Sequence, residues 1–152
     1  MNRRIALMSL MTAAALAPAA MNAQRHPRYL RARTDLRTAQ LFMRVREEPN
    51  VARNLVVADR EVEAAIYEID VAAVLDRKDL VDRPPIDANL ARKDRFRKIV
   101  DLLRSARADI EREEDNPRAR EWRNRAFQHI DESLNAVRRA AVDARIDREL
   151  GF

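Results

Sequence analysis

Apolar residues recur along this chain at alternating spacings of three and four, the period of one helix face held against neighbours. Between His26 and Glu48 the set is Tyr29, Ala32, Leu36, Ala39 and Met43, which predicts a first helix. After Pro49 and Asn50 the alternation resumes at Val51, Leu55, Ala58, Val62, Ala65, Ile69 and Ala72, with Ile66 and Ala73 widening the stripe. This second helix is expected to fade near Asp76 to Lys78, because Pro84 and Pro85 forbid continuation and push Arg83 toward an extended backbone. The stretch KDLVDRPPIDAN then reads as a crossing loop, with Leu80, Val81 and Ile86 tucked onto the end of the packed helices and Asp87 as the N-cap of the next helix.

That third helix is predicted from Phe96, Ile99, Leu103, Ala106 and Ile110. Asn116 followed by Pro117 reads as N-cap and first helical residue of a fourth, since proline lacks only an N–H that has no partner there anyway. The fourth helix carries Ala119, Trp122, Ala126, Ile130, Leu134, Val137 and Ala141 and is expected to fray near Leu150 and Gly151.

The two halves match each other. LRTA at Leu36 to Ala39 aligns with LRSA at Leu103 to Ala106, and EEPNVAR from Glu47 aligns with EEDNPRAR from Glu113 with one extra residue. Beyond it EVEAAIYEIDVAA falls on HIDESLNAVRRAA, pairing Val62 with Ile130, Ile66 with Leu134 and Ile69 with Val137. The acidic run Glu113 to Asp115 is thereby read as the second copy of a hairpin turn rather than a calcium loop, whose ligand spacing it lacks. A single hairpin leaves its apolar stripes half exposed, so the expected fold is all-α, an antiparallel four-helix bundle made of two duplicated hairpins, at about 26–77 and 88–149. Of the two orders open to such a chain, simple up-down-up-down or a diagonal crossing, the first is favoured.

Composition agrees with helix: one Gly, six Pro and 5% aromatic residues among 152. The absence of Cys removes disulfides, thiol nucleophiles, covalent haem attachment and Cys-based zinc sites. The start changes the picture more. Arg3 and Arg4 precede an apolar run from Ile5 to Leu16 and then small residues, the pattern of a signal peptide over residues 1–23 ahead of a domain at 24–152. That run is well short of the ~20 residues a membrane-spanning helix needs. Its removal takes two arginines from a net charge of +5, a balance too modest to imply nucleic acid by itself.

The segments HPRYLRARTDLR, KDLVDRPPID, EEDNP and QHIDESL resemble those of a family of small exported bacterial helical proteins with no assigned activity, across most of the chain after residue 23. The resemblance implies metal binding where relatives carry His; this chain has Arg28, Arg31, Arg83 and Asn89 at those places and keeps only His26 and His129.

His129 is the foremost candidate ligand. It shares a helix face with Glu132 and stands near Asp131, although bundle di-metal sites use the opposite order, Glu-x-x-His, with further Glu from other helices. The duplicated position of His129 is Glu61, so no second His answers it. His26 is a possible terminal ligand in the exported chain. His129 and Met43 both approach the predicted interior, which would suit haem, although Met at a core position most often fills space. Glu61, Glu63, Glu68 and Asp70 read as an ion-paired, solvated face rather than acid–base machinery, and Ser9, Ser105 and Ser133 have no nucleophile context. RKDRFRK at Arg92 and RAREWRNR at Arg118 are basic, but Phe96 and Trp122 fall at core spacing, which removes the stacking platform that single-stranded nucleic acid needs. The expectation is therefore a periplasmic or secreted, cofactor-free, non-enzymatic module. Its partner would be an anionic envelope component or a second copy, docked through stripe edges such as Phe42, Tyr67 or Trp122. A metal- or haem-binding bundle using His129, with Asp131, Glu132 or His26 assisting, is the alternative.

Overall fold

The computed structural model describes residues 27–74, 86–113 and 120–151. Among the described residues the chain is all-helical: α1 (Pro27–Met43), α2 (Pro49–Val74), α3 (Arg92–Glu113), α4 (Arg120–Asp143) and α5 (Asp147–Leu150). The signal-peptide pattern, the turn around Asn116 and most of the Pro84–Pro85 connection lie outside the described residues, as do Leu80 and Val81.

Three boundaries differ from the expectation, each for a local reason. The first helix stops at Met43 instead of continuing to Glu48: its last turn tightens, with Val45 N–H donating to Phe42 O at 3.3 Å, and Glu47 is drawn inward to arginines of α3. Asp87 does not cap α3. Its carboxylate accepts from Asn89 N–H at 2.9 Å, closing an Asx turn, and the helix begins at Arg92. The last helix does not run on to Leu150. It breaks after Asp143 at Arg145, whose φ of 58° is left-handed; Arg145 N–H donates to Val142 O at 2.9 Å and Ile146 N–H to Ala141 O at 3.0 Å, the paired bonds of a Schellman stop.

The long helices pack side by side around one core. α2 lies against α4, α1 against α3, and the successive pairs α1/α2 and α3/α4 also touch, while α1/α4 and α2/α3 sit on the diagonals. All four contacting pairs are antiparallel. Arg33 reaches Asp70 and Arg44 reaches Asp59 between α1 and α2. Arg31 reaches Asp109 between α1 and α3, Arg125 reaches Glu68 and Asn54 reaches Asp143 between α2 and α4, and Arg107 reaches Asp131 between α3 and α4.

This overturns the simple up-down-up-down order. The chain leaves α2 near the start of α1 and enters α3 beside the α1–α2 turn, where Arg92 meets Glu47 and Glu48. Its ends are thus separated by roughly the length of α2, about 39 Å for 26 helical residues. A connection of this length suits the bundles that use one long crossover. Ile86 and Leu90, at its end, are partly buried against the core.

The interior repeats itself. Positions 67 apart on α1 and α3 are buried together: Tyr29 with Phe96, Ala32 with Ile99, Leu36 with Leu103, Ala39 with Ala106 and Met43 with Ile110. Positions 68 apart do the same on α2 and α4: Ala58 with Ala126, Val62 with Ile130, Ala65 with Ser133, Ile66 with Leu134 and Ile69 with Val137. Small residues let α2 and α4 approach so closely that the Ser133 hydroxyl donates to the backbone carbonyl of Ala58 at 3.1 Å. Where charge enters this interior it is paired. Arg33 holds Asp70 at 2.5 Å, and Glu47, with a side chain 1% exposed, is gripped by Arg95 and by Arg92.

Candidate functional site

The candidate chemistry gathers along the seam between α2 and α4. His129 is held at mid-helix on α4, one residue before the buried Ile130, so its ring emerges at the edge of the core, a third exposed. Its Nδ1 lies 2.8 Å from Glu61 Oε2 on α2. The partner is therefore the residue that the alignment of the two halves places opposite His129. Glu61 and His129 are 68 positions apart, as the matched core pairs of α2 and α4 are, and antiparallel packing brings such a pair together only at the crossing point of the two helices, between Ser133 with Ala58 on one side and Arg125 with Glu68 on the other.

The residues expected to assist His129 go elsewhere. Asp131 turns to α3 and accepts from Arg107 Nε at 3.1 Å, and that guanidinium also lies 4.5 Å over the Phe127 ring. Glu132 is exposed. His26 lies outside the described residues, and among those described no group of three His, Asp or Glu side chains gathers as a metal site. Met43 fills core space on α1, diagonal to the helix that carries His129.

Toward the start of α4 the same seam holds Arg125, whose Nε donates to Glu68 at 2.9 Å while its guanidinium lies 4.5 Å from the centre of the Trp122 ring. Trp122 is half-buried rather than part of the core stripe. Beside it Tyr29, Glu68, Ile69, Ile110, Trp122 and Arg123 line a small recess of about 10 Å³, about the room of a single water and far below the roughly 300–1,000 Å³ of ordinary ligand sites. Ser133 is fully buried and spends its proton on Ala58, which gives it no nucleophile role.

The acidic residues of α2 are all engaged sideways. Asp59, Glu63 and Asp70 face α1, through Arg44, Gln40 and Arg33; Glu61 and Glu68 face α4, through His129 and Arg125. Of the edges expected to dock a partner, Phe42 is buried at 4% exposure, because it fills the gap beside Met43, whereas Tyr67 stands 66% exposed. Arg92, hydrogen-bonded by Glu48 and close to Glu47, has its pKa raised further, and Lys93 holds the exposed Glu149 carboxyl below the usual carboxylate range. These two contacts tie the start of α3 to the α1–α2 turn and to α5. No helix of the described residues is long and apolar enough to cross a membrane.

No protein-family model matches the chain, and neither a curated protein nor a solved structure does.

Proposed function

We propose that this chain is an exported, non-enzymatic four-helix bundle, grown from a duplicated helical hairpin, that serves a binding or structural role in the cell envelope. The matched burial of the two halves carries this reading: the same interior positions are filled twice, and the charges at the core edge are neutralised in pairs across helices. Side chains already satisfied in this way are poorly suited to acid–base work, which needs a group poised over a cleft. Export rests on the Arg3–Arg4, Ile5–Leu16 pattern and on the resemblance of the HPRYLRARTDLR and QHIDESL segments to exported helical proteins. The two halves face each other as if related by a two-fold axis perpendicular to the helices, which accounts for the long return between α2 and α3.

One observation favours a second reading, a metal-binding bundle: His129 and Glu61 present an imidazole and a carboxylate 2.8 Å apart at a solvent-accessible seam. Metal analysis and visible absorption of the purified protein separate the two. Colourless, metal-free protein supports the binding or structural reading; stoichiometric metal lost on His129→Gln, or a Soret band, replaces it with the second.

A further inference from the structure

The outer face of α2 differs from the outer faces of α3 and α4. Stepping by three and four from Arg53 gives Val56, Val57, Arg60, Ala64, Tyr67 and Val71, a ridge opposite the buried stripe. Arg53 and Arg60 are exposed, and Val56, Val57 and Tyr67 are the exposed large hydrophobics of this helix. One acidic residue, Glu63, is exposed at the α1 side of the ridge, where its carboxylate accepts from Gln40 at 2.8 Å; the other acids of α2 are turned to α1 and α4.

The corresponding ridge of α4, 68 residues on, reads Glu121, Asn124, Arg125, Gln128, Glu132, Asn135 and Arg139. There every apolar position is replaced by a polar one and Arg53 by an acid. The outer face of α3 alternates Asp94, Arg97, Asp101 and Arg104, with Arg97 bonded to Asp94 at 3.3 Å, the ordinary pattern of a solvated face. Two halves that agree at ten buried pairs disagree all along this ridge.

We infer that the α2 ridge docks the protein on an anionic lipid surface, with Arg53 and Arg60 meeting headgroup phosphates and Val56, Val57 and Tyr67 entering between headgroups. Charge complementarity selects an anion, since Arg53 and Arg60 outnumber the one carboxylate at the ridge edge, Glu63, which is held by Gln40 of α1. The interleaved valines and the tyrosine select a bilayer surface over a soluble acidic polymer, which would be met by arginines alone; tyrosine suits the boundary because its ring is apolar and its hydroxyl wet. The helix lies along the surface and does not span it, with its opposite face committed to the core. This inference rests on the proposed envelope role and supplies its partner.

The test is partitioning of the purified chain onto vesicles of phosphatidylcholine with and without phosphatidylglycerol. Binding is expected on the anionic vesicles and is weakened by salt. Arg53→Gln with Arg60→Gln lowers partitioning about 25-fold, from about fivefold per arginine near a charged surface. Lys98→Gln with Arg104→Gln, which removes the same charge from α3, leaves it nearly unchanged. Val56→Asn with Tyr67→Asn, the residues α4 carries at those positions, also lowers it. Every variant keeps the same amino-terminal segment, so differences between them read the ridge alone, and unchanged helical circular dichroism shows that each remains folded. Equal losses from the α2 and α3 pairs, no preference for anionic vesicles, or binding to soluble polyphosphate that ignores Val56 and Tyr67 would each overturn the inference. Metal-free protein that ignores vesicles defeats this inference alone, whereas stoichiometric metal at His129 defeats the reading beneath it.

Discussion

α2 and α4 share most of a buried stripe and differ all along their outer faces. Ala58, Val62, Ala65, Ile66 and Ile69 have buried counterparts in Ala126, Ile130, Ser133, Leu134 and Val137, yet Val56 and Tyr67 answer to Asn124 and Asn135. The difference teaches where each kind of constraint lies. Interior positions are fixed by close packing, in which one missing methylene is felt, whereas an outward residue is free to change with little effect on stability. Divergence along the outside is thus where a binding role would be written.

Buried charges and the matched core give the largest expected effects. Glu47→Ala leaves Arg95 buried without its carboxylate and should cost about 3–5 kcal/mol in urea unfolding. Leu36→Ala and Leu103→Ala, both fully buried and matched between halves, should each cost about 2–5 kcal/mol and resemble one another; a large cost at one and none at the other would deny that the halves share a register. Arg145→Gly removes a left-handed non-glycine residue from the end of α4 and should stabilise by about 1 kcal/mol, read as a shift of the urea midpoint. The Glu61–His129 pair, about one-third exposed on both sides, should show a coupling below about 1 kcal/mol in a double-mutant cycle with Glu61→Gln and His129→Gln. Smallest of all, Val56→Asn and Tyr67→Asn should change stability by no more than about 0.5 kcal/mol, which sets the ridge apart from the core.

Much of the fold was legible because burial on a helix leaves a period of three and four, and the stripes at Tyr29–Met43, Val51–Ile69 and Phe96–Ile110 are the buried faces. The order of the helices was not. An apolar stripe says that a face needs a neighbour but not which one, and both candidate orders bury the same residues. The partner of His129 was hidden by the same ambiguity. The correspondence of Glu61 with His129 was visible in the sequence, but only packing α2 directly on α4 turns correspondence into contact. Buried Arg33, Arg95 and Asp109 left no signal, since a charge enters a core edge only with partners on other helices, remote in sequence. The stop at Arg145 was unreadable because the residue expected in a left-handed cap is glycine or asparagine. Phe42 misled because it stands one residue ahead of Met43 in the stripe, and burial there is wider than a single line of positions.

Face-to-face packing of the matched halves, with α2 directly on α4, underlies all of these expectations and is open to a direct chemical measurement. Because the chain has no Cys, Glu61→Cys with His129→Cys creates a single pair of thiols, and a short bifunctional thiol reagent reports whether they are neighbours. An efficient cross-link within one chain is expected, seen as a more compact monomer after denaturing electrophoresis and as a joined peptide pair by mass spectrometry. Two thiols that stay separately modified in the folded protein, as they would if α2 and α4 stood on a diagonal, would contradict that packing.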